Sequence, residues 1–175
     1  APGHALIHNN LAAALLDCDR LRDAEAAARA ALALDPAMPG AWNNLGIALG
    51  RQKRTRDARE AWNKALAIAP NHLTALTSLA QSLRGEDPDR AADLFERVLA
   101  LAPDNHFAYA EAISTLWNAC RWDRAQALLG QLDRRLAGGM PVQALYVLAF
   151  VLPYIADDPV PTKKVRAALG RALAA

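Results

Sequence analysis

The feature that most constrains the fold of this chain is a repeat of 34 residues. The His-Asn-Asn-Leu-Ala stretch at 8–12 returns 34 residues later as Trp-Asn-Asn-Leu-Gly at 42–46. A stretch that ends in proline, 31–36, returns at 65–70 and again at 98–103. The second spacing is one residue shorter than the first. A fixed period of this length indicates that the chain is built from similar units, each stacked on its neighbours in sequence.

The composition indicates that these units are helical. Alanine, the best helix former, makes up more than a fifth of the chain, and aromatic residues only 6%. No segment shows the sustained alternation of β-branched residues that is typical of strands. We therefore predict an all-α fold.

The second repeat, 39–72, carries a recognisable pattern of small and large residues. Its first half has Trp42, Leu45, Gly46 and Leu49, and its second half has Ala58, Trp62, Ala65 and Pro70. This spacing resembles the tetratricopeptide repeat, in which two antiparallel helices form each unit and a proline ends it. The resemblance implies a right-handed α-solenoid in which the first helix of every repeat lines a concave groove.

The same pattern predicts the organisation of the whole chain. We expect the end of a preceding repeat at 1–4, repeats at 5–38, 39–72 and 73–105, a degenerate repeat at 106–137, and non-repeat capping helices at 138–175. Pro2 lies 34 residues before Pro36, so the array is expected to continue upstream. The helices at 138–175 are predicted to be caps because the last unit of a solenoid needs a polar outer face.

Polar residues recur at the first-helix positions that face the groove in this family. The predicted peptide-binding residues are Asn9, Asn10, Asn43, Asn44, Arg51, Thr77, Ser78, Gln81 and Glu111. Each amide offers both a donor and an acceptor, so the repeated asparagines could bind an extended peptide backbone. The alternative is that these side chains are only solvated. A clamp for a terminal carboxylate fits poorly. Such a clamp needs lysine in the groove, but the fifth residues of the first three repeats are Asn9, Asn43 and Thr77, and Arg51 and Arg84 alone are a poor match.

The segment Leu-Trp-Asn-Ala-Cys-Arg-Trp at 116–122 is similar to the end of the repeat array in O-linked N-acetylglucosamine transferase-like enzymes. There a Cys-x-Trp sequence precedes the glycosyltransferase domain. The resemblance implies that this chain is the substrate-recruiting arm of a larger bacterial protein glycosyltransferase, without its catalytic domain. In such enzymes an asparagine before the key leucine binds peptide, and Asn10 and Asn44 match that position.

Other classes of function lack support in the sequence. A formal net charge of +2 from 20 basic and 18 acidic residues is too balanced for a nucleic-acid-binding protein. No apolar run is long enough for membrane insertion. The spacing of the histidines and glycines indicates no metal, no cofactor and no catalytic site, so the chain is not expected to be an enzyme.

Two cysteines, Cys18 and Cys120, are too few for a disulfide framework. They favour a reducing compartment, which we expect to be the cytoplasm, and Cys120 is predicted to be a small buried residue. The sequence thus favours a protein-protein interaction module. The alternative function is a scaffold, or a self-assembling protein of an envelope or secretion complex, that forms a homo-oligomer through the solenoid ends.

Overall fold

The computed structural model describes residues 2–137, which form eight α-helices and no strand. The helices are α1 (Pro2–Asp17), α2 (Leu21–Leu34), α3 (Pro39–Arg51), α4 (Thr55–Ile68), α5 (Leu73–Leu83), α6 (Pro88–Leu101), α7 (His106–Asn118) and α8 (Trp122–Ala137). The predicted all-α class is confirmed. The predicted capping helices at 138–175 lie outside the described residues. No helix within residues 2–137 combines the length and apolarity that crossing a membrane requires.

The start of α3 coincides with a repeat boundary expected from the sequence, whereas the start of α1 does not. α3 begins at Pro39, the predicted start of the second repeat, where proline suits the first helical turn because its missing N–H has no partner there. α1 begins at Pro2, so residues 2–4 are part of the first helix, although the pattern places them in a preceding repeat.

The chain divides into unit 1 (Ala1–Ser82) and unit 2 (Leu83–Ala175). In unit 1, α1 packs on α2 and α3 packs on α4, while α2 also packs on α3. In unit 2, α7 packs on both α6 and α8.

The core of unit 1 depends on close approach between helices. A Cβ atom at Gly46 would lie only 2.4 Å from Nε1 of Trp62, so glycine lets the indole ring of α4 lie directly on the backbone of α3. Trp62 is only 6% exposed. The core of unit 2 combines buried alanines with larger aliphatic and aromatic side chains, of which the fully buried ones are Phe95, Val98, Ile113, Leu116 and Leu132.

The turn inside each repeat has a recurring backbone conformation. Asp19, Lys53 and Cys120 occupy corresponding positions in the first, second and fourth repeats, with φ of 57°, 66° and 57°. The third repeat is one residue shorter there, and Asp87 instead accepts a hydrogen bond from the backbone N–H of Arg90 to cap α6. Cys120 is exposed, because it lies in this turn. The prediction that it is buried is wrong.

Candidate functional site

Three of the predicted asparagines meet on the face shared by α1 and α3. The Nδ2 atom of Asn44 donates hydrogen bonds to Oδ1 and to the backbone oxygen of Asn9, at 3.0 and 3.3 Å. Asn9 in turn lies 3.5 Å from Oδ1 of Asn10. Asn10 is exposed, whereas Asn9 and Asn44 are half-buried. Asn10 therefore has the most accessible amide, and Asn44 also joins consecutive repeats.

Asn43 does not share this exposure. It is 6% exposed, and its Oδ1 atom is buried without a hydrogen-bond partner within residues 2–137. The expectation that it lies on an open face is wrong, because its side chain is buried where the neighbouring helices pack around α3. The repeated Asn-Asn pair thus has one buried and one half-buried member in α3.

Arg51 ends α3 and connects it to the end of α1. Its Nη1 atom donates to the backbone oxygen of Leu16 at 2.7 Å, and its Nη2 atom lies 3.3 Å from Oδ1 of Asp19. An arginine in this place satisfies one of the carbonyl groups that the last turn of a helix leaves without a partner. These contacts fix the guanidinium at the surface of unit 1.

A cleft of about 520 Å³ opens beside Arg51 in unit 1. Its lining residues come from α3, the turn before α4, α4 itself and α5: Ile47, Gly50, Arg51, Lys53, Thr55, Trp62, Ser78, Gln81 and Ser82. Arg51, Ser78 and Gln81 were predicted from the sequence. Thr77 is not part of the lining, and its Oγ1 atom donates to the backbone oxygen of Leu73 at 2.9 Å. We define these lining residues as the unit 1 cleft.

Three lining residues, Lys53, Thr55 and Trp62, could not be found by inspecting first-helix positions alone, because they lie in the turn after α3 and in α4. The signal that points to Lys53 is its place after a helix end, where the chain must reverse. The cleft brings cationic, hydroxyl and amide groups together beside the apolar side chains of Ile47 and Trp62.

Glu111, the remaining predicted groove residue, belongs to unit 2. Its carboxylate forms an ion pair with Arg84. Arg84 also donates to Oγ of Ser114 at 3.0 Å and to Oγ1 of Thr115 at 3.1 Å, and both hydroxyl-bearing residues are buried. The Glu111 carboxylate therefore already has a partner. Nearby in sequence, the rings of Trp117 and Trp122 meet edge to face at 4.9 Å.

Unit 2 contains a separate cleft of about 480 Å³ between α6 and α8. Its polar lining includes Glu96 and Arg124, which form an ion pair at 2.8 Å. No predicted groove residue contributes to it. Within residues 2–137, no three histidine, cysteine, aspartate or glutamate side chains are grouped so that they could hold a metal ion.

Two family models, each described as a tetratricopeptide repeat, match residues 38–104 and 82–147, and together they cover more than half of the chain. The chain belongs to the tetratricopeptide-repeat family. No curated protein sequence matches this tetratricopeptide-repeat chain significantly.

Solved tetratricopeptide structures share the fold at low identity. YrrB, described as a tetratricopeptide protein with an unusual peptide-binding site, is 21% identical with a TM-score of 0.67, over 97% of this chain and 85% of YrrB. The first tetratricopeptide domain of Spaghetti (RPAP3), bound to the HSP90 peptide SRMEEVD, is 21% identical with a TM-score of 0.66, over 69% of this chain and 96% of that domain.

A mutant O-GlcNAc transferase from Thermobaculum terrenum also shares the fold. It is 20% identical with a TM-score of 0.61, and the match covers 65% of this chain but only 22% of the transferase. The match is therefore to a small part of a much longer protein.

Proposed function

We propose that this chain is a protein-protein interaction module that binds an extended peptide or partner segment along the first helices of unit 1. The observation that carries the proposal is that Arg51, Ser78 and Gln81, which the sequence places on a binding face, line one cleft. A partly open cleft that combines apolar walls with a few polar groups is the usual form of a ligand site.

The asparagines of α1 and α3 support the same function. Asn10 presents a donor and an acceptor to solvent beside the Asn9–Asn44 hydrogen bonds, so it can pair with the backbone of an extended segment. Two tetratricopeptide proteins of the same fold are described by their peptide complex or peptide-binding site. We propose no catalytic role for this chain.

The test is binding of the double variant Asn10→Ala/Asn44→Ala to a peptide array and to proteins of the source cell's lysate. We expect weaker binding than with the unaltered chain, because two amides are lost. The matched control is Asn63→Ala, which removes an exposed amide from a second helix, α4. Since Asn44 also bonds to Asn9, the melting temperature of each variant must be measured as well. Equal binding by a folded double variant would contradict the asparagine contacts.

For the cellular context, we propose that the chain is the substrate-recruiting arm of a larger bacterial protein glycosyltransferase. The resemblance at 116–122 and the match to part of the O-GlcNAc transferase support this context. The test is to sequence the gene beyond the codon of Ala175 and to assay the encoded protein for sugar transfer to peptides. A gene with no glycosyltransferase domain would contradict it.

A second candidate function is a scaffold that self-associates, and the apolar surface of α1 favours it. Ile7 and Leu11 are 63% and 47% exposed, whereas Ala41 and Leu45, which correspond to them one repeat later, are 0% and 4% exposed. If α1 mediates assembly, Leu6→Glu on the same helix should convert an oligomer to a monomer in sedimentation experiments. An unaltered chain that stays monomeric at high concentration would contradict self-assembly.

We also propose that the protein works in a reducing compartment such as the cytoplasm. Cys18 and Cys120 are both free and exposed, as is common where thiols stay reduced. Labelling of thiols in intact cells tests this, and complete blockage of both cysteines by oxidation would contradict it.

A further inference from the structure

The unit 1 cleft has a cationic rim. Arg51 and Lys53 both line it, and Lys53 has no carboxylate partner within residues 2–137. Arg51 does have one, Asp19, but the side chains of this ion pair are 48% and 74% exposed, so the pair is weak. Arg51, Lys53 and Asp19 together leave one surplus positive charge beside the cleft.

The two cations are held in different ways. The guanidinium of Arg51 is fixed by the backbone oxygen of Leu16, and it has five N–H donors, so donors remain for a ligand. Lys53 is exposed and lies in the turn between α3 and α4, where its φ is 66°. A ligand carboxylate placed between them could accept charge-assisted hydrogen bonds from both.

The rest of the cleft suits the peptide around such a carboxylate. Within residues 2–137, the side chains of Ser78 and Gln81 form no hydrogen bond to the protein, so their hydroxyl and amide groups are available to a peptide backbone. Ser82 is already occupied, because it donates to the backbone oxygen of Leu79 and accepts from Nε of Arg59. Ile47 and Trp62 provide an apolar wall.

We propose that the unit 1 cleft selects an acidic side chain of the partner peptide, held between Arg51 and Lys53, with a neighbouring apolar side chain packed against Ile47 and Trp62. This inference rests on the proposed peptide-binding function and adds the chemistry of the segment that is bound. It does not require a terminal carboxylate, since an internal aspartate or glutamate carries the same group. A volume of about 520 Å³ accommodates two such side chains.

The experiment uses the full chain and an array of short peptides that are acetylated and amidated, which removes their terminal charges. Each peptide contains alanine, serine and threonine with one leucine and one glutamate at varied separation, and a second array has glutamine in place of glutamate. We expect the best glutamate peptide to bind about tenfold more tightly than its glutamine counterpart at low salt. The difference should shrink at higher salt, because the Debye length falls from about 30 Å at 0.01 M to about 8 Å at 0.15 M.

Variants then locate the preference. Arg51→Gln/Lys53→Gln should bind the two peptides equally, and Lys53→Gln alone, which keeps the Leu16 contact, should lose about threefold in affinity for the glutamate peptide. Lys53→Arg keeps the charge and should keep the preference. The matched control is Arg56→Gln, which removes a cation that is 92% exposed and not part of the cleft lining.

The outcomes separate this inference from the function on which it rests. If no peptide of either array binds, the proposed peptide-binding function is contradicted. If peptides bind but glutamate and glutamine are equivalent, only the acidic selection is overturned. The same conclusion holds if Arg56→Gln weakens the preference as much as the cleft variants, since the effect is then one of overall charge.

Discussion

Consecutive repeats are joined by polar contacts in both units, but the contacts are arranged differently. In unit 1 they converge on Glu25, whose side chain is 15% exposed and which accepts from Gln52 at 2.9 Å, from Arg54 at 3.0 Å and from Arg29 of its own helix at 2.9 Å. In unit 2, by contrast, Arg124 is shared among carboxylates that are 40–65% exposed: Asp89, Asp93 and Glu96.

The difference shows where each unit is sensitive to a single change. Burial raises the pKa of Glu25, but the hydrogen bonds from Gln52, Arg29 and Arg54 outweigh it, so that the net pKa lies below its ordinary value. Loss of this one acceptor removes a hydrogen bond from three side chains at once, although Arg54 keeps its ion pair with Asp57 at 2.7 Å. The exposed carboxylates of unit 2 can replace one another, and each is therefore expected to contribute less.

The largest effect is expected for Glu25→Gln. A neutral amide keeps the shape but loses the charge-assisted hydrogen bonds, so we expect the free energy of unfolding to fall by about 1–3 kcal/mol. Urea and thermal unfolding followed by circular dichroism measure it. The control is Glu60→Gln, because the Glu60 side chain is 65% exposed and, in the part of the chain that the structure describes, pairs only with Arg56 of the same helix. Equal destabilisation by the two variants would remove the distinction between a shared buried acceptor and an exposed one.

Acid should affect the Glu25 contacts in a defined direction. Because the pKa of Glu25 is lowered in the folded state, its stabilisation is fully present above the ordinary value of 4.5 and is lost as the pH falls through the lowered pKa. We expect the melting temperature to fall more steeply below pH 4.5 for the unaltered chain than for Glu25→Gln. Parallel acid profiles would show that Glu25 does not bind its proton differently in the folded state.

The smallest effect is expected in unit 2. Asp93→Asn should change the free energy of unfolding by no more than about 0.5 kcal/mol, because Arg124 keeps its contacts with Glu96 and Asp89. The double variant Asp93→Asn/Glu96→Gln should lose more free energy of unfolding than the two single variants together, since neither carboxylate can then substitute for the other as a partner of Arg124. Additive losses in the same unfolding assay would show that these carboxylates act independently.

The sequence was sufficient for the fold because its period records which helix faces are buried. The pattern places a small residue, Gly46, opposite a large one, Trp62. In the structure the indole ring lies directly on the glycine, where a side chain would not fit. The shortened third repeat was also visible in the sequence, because the stretch that ends in proline returns one residue early at 98–103. These features are local, so a single sequence carries them.

The site was less accessible to prediction, because it depends on what neighbouring elements cover. Asn43 and Asn44 are adjacent in the sequence, yet Asn43 is buried and Asn44 is half-buried. Cys120 was predicted to be a core residue, but it lies exposed in a turn with φ of 57°. Lys53 reaches the cleft only because the chain reverses there, which no first-helix pattern encodes.

The left-handed turns at Asp19, Lys53 and Cys120 have a consequence for engineering the chain. An L-residue with a side chain pays about 1 kcal/mol or more for this backbone conformation, and glycine does not. Cys120 is thus a site at which a designer could gain thermal tolerance with glycine or asparagine, whereas Asp19 is already of a residue type that adopts this conformation and also pairs with Arg51. Lys53 lines the unit 1 cleft, so the same exchange there would remove one of the two cations of the proposed acidic site.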